Sequence, residues 1–237
     1  MGDNLNDMKL LFQTILVSWV LCGSVDAQPL FYGTGEQEGW MGTYFRGRKI
    51  GFTRVQTRWT PEAIEVDSKV FFQIRSESTD QSTTINQNTR FSSDFKLLSF
   101  SLLQEITGHR KQVVGRMKGN RLTYRVTSRG FDKEQSIALP SQVIPSSTFL
   151  LNLLVNRLEV GQKGTLPLFL EPFLMLVNLD YEVLRQEKLV YEGKPVETYV
   201  IKQRFSGIET ILWVDGDGTV IKETNNQGFK SFKEPAN

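Results

Sequence analysis

The sequence predicts a mainly β fold: a curved antiparallel sheet, or half-open barrel, of about ten or eleven strands around one apolar helix over residues 146–158. Three observations carry that expectation. Apolar and polar residues alternate with a period of two along most of the chain, and Gly-containing turn signals separate the alternating runs. After the first 27 residues only Ser146 to Leu158 (SSTFLLNLLVNRL) has strongly helical spacing. No linker and no repeat of fixed period divides the chain between Trp40 and Asn225, so residues 40–225 are expected to form a single antiparallel domain.

The helix is the organising element of this expectation. Pro145 stops the preceding strand, and Ser146, Ser147 and Thr148 are each able to cap a helix start. Leu150, Leu151, Leu154, Val155 and Leu158 recur at helical spacing, and Phe149 and Leu153 add a second apolar strip. A helix apolar nearly all round has to be surrounded. Gly161 and Gly164 lie where its C-terminal stop belongs.

Before the helix, Trp40–Phe45 and Ile50–Trp59 read as a hairpin turning through Arg46 to Lys49. Glu65–Arg75 is the next strand. The polar stretch Ser76–Asn88 reads as loop, or as one exposed strand over Ser82–Arg90. Phe95–Ile106, Gln112–Met117 and Arg121–Thr127 follow, the last with Leu122, Tyr124 and Val126 facing one way. Glu134–Leu139 is short. After the helix, Leu166–Val177 (LPLFLEPFLMLV) is the most apolar tract, but Pro167 and Pro172 argue for an edge strand or a lid loop rather than a central strand. Asn178–Val190, Val196–Phe205, Ile208–Asp215 and Thr219–Asn225 complete the sheet. Residues 28–39 read as a loose lead-in and residues 226–237 as a frayed polar tail.

The N-terminus points to export. Leu10 to Leu21 has the length of a signal-peptide core and is too short to span a membrane. Lys9 precedes it, and Val25-Asp26-Ala27 supplies small residues for cleavage, which makes residues 1–27 the expected signal segment and its helix. Met8 is a more natural start than Met1, because Asp3 and Asp7 dilute the positive end. Cys22 raises lipidation as an alternative, against which stand Leu21 just before it and Trp19 at −3. Cleavage after Ala27 removes the one cysteine, and an exported chain without disulfides fits a bacterial periplasm. It also removes Lys9 and three acids, raising the formal net charge from +2 to about +4. That charge is mild, and no basic stripe with interleaved aromatics stands out, so a nucleic-acid partner is not expected.

Candidate chemistry is sparse. His109 is the only histidine, lies in a Gly-His-Arg turn, and has no G-x-S-x-G partner motif. Asp215-Gly216-Asp217-Gly218 resembles part of a calcium loop, but strand-like flanks favour a hairpin turn. Trp40, Tyr44, Trp59 and Trp213 fit core packing better than sugar stacking. Glu171, inside the apolar tract, is expected to face solvent at a pocket rim; the other option is a buried acid with a raised pKa. No cofactor, metal or catalytic residue is therefore assigned. Phe149, Leu150, Leu153, Leu154 and Leu158, with Phe169 and Phe173, either form barrel core or line an apolar pocket. They are the candidate ligand-binding residues for an acyl chain or other lipid.

Trp40 to Phe52 (WMGTYFRGRKIGF) resembles the opening hairpin of an uncharacterised bacterial envelope domain found at the N-terminus of periplasmic transglutaminase-like proteins. Asp94–Phe100 (DFKLLSF), Gly115–Leu122 (GRMKGNRL), Leu158–Gly161 (LEVG) and Trp213–Gly218 (WVDGDG) agree in order. The architecture is similar to periplasmic lipoprotein carriers, half-open barrels with helices on the concave face. The resemblance implies a non-catalytic module, since the transglutaminase-like half would carry the Cys-His-Asp set. It further implies an accessory role beside such an enzyme as the alternative to lipid binding. The combined expectation is an exported, periplasmic binding module with no membrane span after cleavage, no enzymatic activity, and an acyl chain or an envelope protein as partner.

Overall fold

The structure, a computed structural model, describes residues 35–76, 79–150, 153 and 158–235. The expected signal segment and most of the lead-in lie outside the described residues. Fifteen strands form one sheet: β1 (Gly35–Phe45), β2 (Arg48–Trp59), β3 (Ile64–Ser76), β4 (Thr79–Phe91), β5 (Leu97–Ile106), β6 (His109–Lys118), β7 (Arg121–Ser128), β8 (Phe131–Ala138), β9 (Ile144–Pro145), β10 (Lys163–Leu170), β11 (Met175–Tyr191), β12 (Lys194–Phe205), β13 (Ile208–Asp215), β14 (Val220–Asn225) and β15 (Phe229–Glu234). In space the order runs from β8 back to β1, then from β15 back to β9. Neighbours are antiparallel except for the two-residue β9, which lies parallel to β10.

Tight turns explain the consecutive pairing. Arg46-Gly47 and Thr107-Gly108 both have two residues at positive φ, 49° and 79° in the first and 44° and 82° in the second. Turns of that hand match strand twist, and glycine takes the second position without a Cβ clash.

The sheet is strongly curled. Phe100 on β5 and Phe169 on β10 are ten places apart in strand order, about 48 Å on a flat sheet at the usual interstrand spacing. Their ring centroids are nevertheless 6.0 Å apart. Register irregularities at Thr43/Tyr44, Arg90/Phe91, Val183/Arg185 and Trp213/Val214 raise the local twist that such curling needs. Gly115 permits the closest crossing: a Cβ there would lie 2.3 Å from the Phe100 ring. The inner face holds one apolar core, from Val55, Val70, Ile85, Leu102 and Val113 on the N-terminal half to Val183, Ile201 and Leu212 on the other.

The expectation of ten or eleven strands around a helix is corrected in both parts. No α-helix is an element of the described structure. Ser146–Thr148 form one 3-10 turn, whose N-cap residue Pro145 is extended and supplies no side-chain cap. Residues 151, 152 and 154–157 lie outside the described residues. What the sheet encloses instead is a set of individual side chains, Phe149, Leu150, Leu153 and Leu158, that belong to its own core. The three hydroxyl residues that read as helix caps are used elsewhere, as described below. The extra strands come from polar stretches. Thr79–Phe91 is a full strand between β3 and β5, and Phe229–Glu234, read as tail, lies between β14 and β1 and joins the two halves. Both pair because neighbouring backbones satisfy their N–H and C=O groups, whatever the outward side chains are.

The apolar tract resolves into a hairpin. β10 carries Pro167 opposite Asn178, next to the short edge strand β9. Pro172 falls in the turn before β11. Among the described residues no helix is long and apolar enough to cross a membrane.

Candidate functional site

The sheet's two ends, β8 and β9, are not paired with each other, and the chain passes from one to the other across this opening. The segment after β9 then enters the inner face. Its start is held by three hydroxyls. Ser146 Oγ donates to Glu171 Oε2 at 2.5 Å, and Ser147 Oγ donates to Glu171 Oε1 at 2.8 Å. Thr148 Oγ1 donates to the Pro145 carbonyl at 3.0 Å. Because Glu171 opens the β10–β11 turn, the three form a clasp between that turn and the inserted segment.

Glu171 is 0 % exposed, not at a solvent-facing rim. Desolvation pushes its carboxyl above the ordinary glutamate value, and the serine hydrogen bonds oppose that shift without reversing it. The local sequence misleads because the two donors stand 24 and 25 residues earlier in the chain. The usable signal was the pair of adjacent serines before an apolar run, which was consistent with capping as well.

The candidate ligand-binding residues converge on the inner face. Phe149, Leu150, Leu153, Leu158 and Phe169 are all buried in the core. Phe173 is partly buried and packs against it. Leu154 lies outside the described residues. Phe149 meets the ring of Tyr181 edge-on at 6.2 Å, and Phe169 meets Phe100 on the far half of the sheet. The inserted segment and β10 thus bridge the two walls of the curled sheet.

The inner face is not uniformly apolar. Trp59, Ile64, Phe91, Leu97 and Leu122 are buried towards one end of β2 to β7. Towards the other end, Gln87, Gln104, Thr53 and Thr83 are buried. Gln87 Nε2 donates to Thr89 Oγ1 at 2.9 Å. Lys111 shares its side of β6 with Val113 and Gly115, is half-buried, and stands opposite Gln104 in register. Burial lowers its ammonium pKa. The sequence offered a signal for Lys111 that went unused: it continues the inward period of Val113, Gly115 and Met117 by one step.

The outer face carries two shallow clefts. One, about 360 Å³, is lined by Arg54, Gln56, Asp67, Lys69, Asn86 and Asn88. The other, about 300 Å³, is lined by Thr165, Asp180, Glu182, Lys202 and Arg204. Much of this lining is self-paired: Arg54 with Glu38, Asn88 with Asp67, Thr165 with Asp180, and Lys202 with Glu182. Between them, on β3, β2, β1 and β15, lie Phe71, Phe52, Trp40, Tyr44 and Phe232. Trp40 and Phe52 are 5.4 Å apart, Phe52 and Phe71 5.9 Å, and Tyr44 and Phe232 5.6 Å. Of the four aromatics weighed from sequence, Trp59 is in the core, Trp213 is buried beneath Lys222, and Trp40 and Tyr44 belong to this outer group.

The remaining candidates have local roles. His109 is the exposed first residue of β6, directly after the Thr107-Gly108 turn. Asp215 Oδ1 accepts the backbone N–H groups of Asp217 at 3.0 Å and Thr219 at 2.8 Å, an Asx-type closure of the β13–β14 turn. Among the described residues no group of three or more His, Cys, Asp or Glu side chains is placed to hold a metal.

Comparison with known proteins places the fold. No family model and no curated protein matches the sequence. A crystal structure of a β-barrel-like protein of the domain of unknown function DUF1849, from Brucella abortus, superposes with a TM-score of 0.61 at 10 % identity, covering 86 % of this chain and 95 % of that one. A DUF1089 family protein from Pseudomonas aeruginosa gives 0.44 at 14 % identity, covering 75 % and 90 %. The chain is thus similar in fold to a barrel-like domain of unknown function. Nothing in these comparisons points to a transglutaminase-like module, and that part of the resemblance falls away.

Proposed function

We propose that this chain is a non-catalytic, exported binding module of the bacterial cell envelope, which takes an acyl chain or similar apolar ligand against the inner face of its curled sheet. One observation carries the reading. The opening between β8 and β9 is crossed by a segment whose side chains Phe149, Leu150, Leu153 and Leu158 fill the inner face, and whose start is clasped to Glu171. A half-open barrel with an apolar insert has a wall that moves without breaking sheet hydrogen bonds, so an apolar ligand enters by exchanging places with the insert. The signal-like N-terminus supports export, and the barrel-like fold supports binding over chemistry.

The test is extraction of lipid from the purified mature protein, followed by titration with a fluorescent fatty acid. Co-purified acyl chains and saturable binding that Leu150→Asp and Phe169→Asp both weaken are the expected result. An empty protein with no affinity for the probe would remove this reading.

The outer aromatic group favours a second reading, an accessory module that docks on an envelope protein. Phe232 is 38 % exposed and shares a face with Phe52, Phe71, Trp40 and Tyr44. Crosslinking in the cell envelope through a photoreactive residue at Phe232 would capture one defined partner if this holds.

A further inference from the structure

The polar end of the inner face bears on what kind of apolar ligand the module takes, an inference that rests on the function proposed above. Along β4, the inner side chains run Phe91, Thr89, Gln87, Ile85 and Thr83. Six residues of strand from Phe91 to Ile85 cover about 20 Å. Over that distance the lining changes from Phe91, Ile64, Trp59 and Leu122 to Gln104, Thr53 and Lys111. The interior is therefore graded, apolar at one end and polar at the other.

Lys111 is the one feature of this gradient that the fold does not explain. Its row across the sheet reads Thr53, Val70, Ile85, Gln104, Lys111. Ile85 and Val70 are fully buried, Gln104 and Thr53 nearly so. Among the described residues no carboxylate pairs with Lys111, and its only neighbour capable of a polar contact across β5 is the Gln104 amide. Its cationic neighbour in sequence, Arg110, points the other way and pairs with Glu105 at 3.9 Å. A lysine drawn into such a setting without an anion loses hydration for nothing in return. An anion supplied by a ligand would restore it.

We infer that the inner face binds an anionic amphiphile, with the acyl chain along the row of Leu102, Val113 and Phe100 and the carboxylate or phosphate head on the Lys111 ammonium and the Gln104 amide. Lys111 lies about 14 Å along β6 from Gly115, where Phe100 crosses towards Phe169. The head group is thus held at the polar end while the chain runs towards the insert. Charge-assisted hydrogen bonds shape the preference for an anion, and the apolar lining is indifferent to the head group.

The experiment compares palmitate, hexadecyl phosphate and cetyl alcohol on the mature protein, on Lys111→Met and on Lys111→Arg, by displacement of a neutral fluorescent lipid probe. The anions are expected to bind about tenfold more tightly than the alcohol, and Lys111→Met to bring all three within about twofold, with Lys111→Arg retaining the preference. Palmitate ahead of the phosphate marks a fatty-acid ligand; the reverse marks a phospholipid-derived one. Equal affinity of alcohol and anions for the native protein overturns the role of Lys111 and leaves the apolar site standing. No binding of any of the three overturns both. Unchanged thermal unfolding of Lys111→Met separates a lost head-group contact from a lost fold.

Discussion

Glu171 and Lys111 mark two regions of the same interior that treat charge in opposite ways. Glu171, at the β10–β11 turn, is fully buried and takes two serine hydroxyls, one on each carboxyl oxygen. Lys111, on β6, is half-buried and has a buried amide opposite but no carboxylate partner among the described residues. The first is closed: every donor that reaches it comes from the protein, and removing it leaves those donors stranded. The second is open, since the fold brings polar groups near it and supplies no counter-ion. A satisfied polar group indicates closure of the structure, while an unsatisfied one at the polar end of a graded interior indicates a place for something else.

Breaking that contrast should start at the clasp. Glu171→Ala removes the acceptor of two serine hydroxyls in a buried site and leaves a small void, and should lower stability by about 3 kcal/mol in chemical denaturation. If the loss is below about 0.5 kcal/mol, the clasp is not what holds the insert. Gly115→Ala comes next. Its Cβ would sit 2.3 Å from the Phe100 ring, and the resulting overpacking should cost about 2 kcal/mol and loosen the approach of Phe100 to Phe169. The near-ultraviolet signal of the aromatic core is a direct readout.

A smaller effect concerns pH. The folded Glu171 carboxyl titrates above its ordinary 4.5, so between that value and its raised one the folded state holds a proton that the unfolded chain has released. Stability should therefore fall as pH rises through that window, then level off. Glu171→Gln should flatten most of the fall; the raised pKa of half-buried Asp215, starting from 3.8, leaves a residual slope of the same sign. The smallest change is expected at Lys111→Met: stability within about 0.5 kcal/mol of native, with any shift towards a gain, because a cation without a partner is replaced by an apolar side chain of similar length. A large loss there would mean that Lys111 is as closed a site as Glu171, and the contrast would fail.

Legibility from sequence followed the range of the interactions involved. β2, β3, β5 and β7 were visible because Val55, Val70, Leu102 and Leu122 alternate with polar residues on a single strand. The Gly-containing turns were visible for the same local reason. β4 was half-visible: Thr, Ser, Gln and Asn dominate Thr79–Phe91, yet Ile85, Gln87 and Phe91 face inward. β15 was not visible at all, since Phe229 and Ser231 become interior residues only when β1 and β14 flank them. The helix was a misreading with a physical cause. Ser146, Ser147 and Thr148 have the chemistry of caps, and in the fold two of those hydroxyls go to Glu171 and the third to the Pro145 carbonyl. Within the candidate site, the inward placement of Phe149, Leu150, Leu153, Leu158 and Phe169 followed from hydrophobicity alone. The burial of Glu171 and the polar end around Gln104 and Lys111 did not.

By itself, then, the sequence determined that this chain is built of strands, where most of them turn, and which side chains of each strand avoid water, because a period of two and a glycine at positive φ are properties of a few adjacent residues. Only the tertiary structure decided that fifteen strands share one curled sheet, that a polar terminal segment joins its halves, that a glutamate meets two serines, and that a lysine faces inward without an anion. Those outcomes depend on which strand lies beside which, and strand neighbours are chosen by burial and backbone pairing over the whole chain rather than by any short stretch of it.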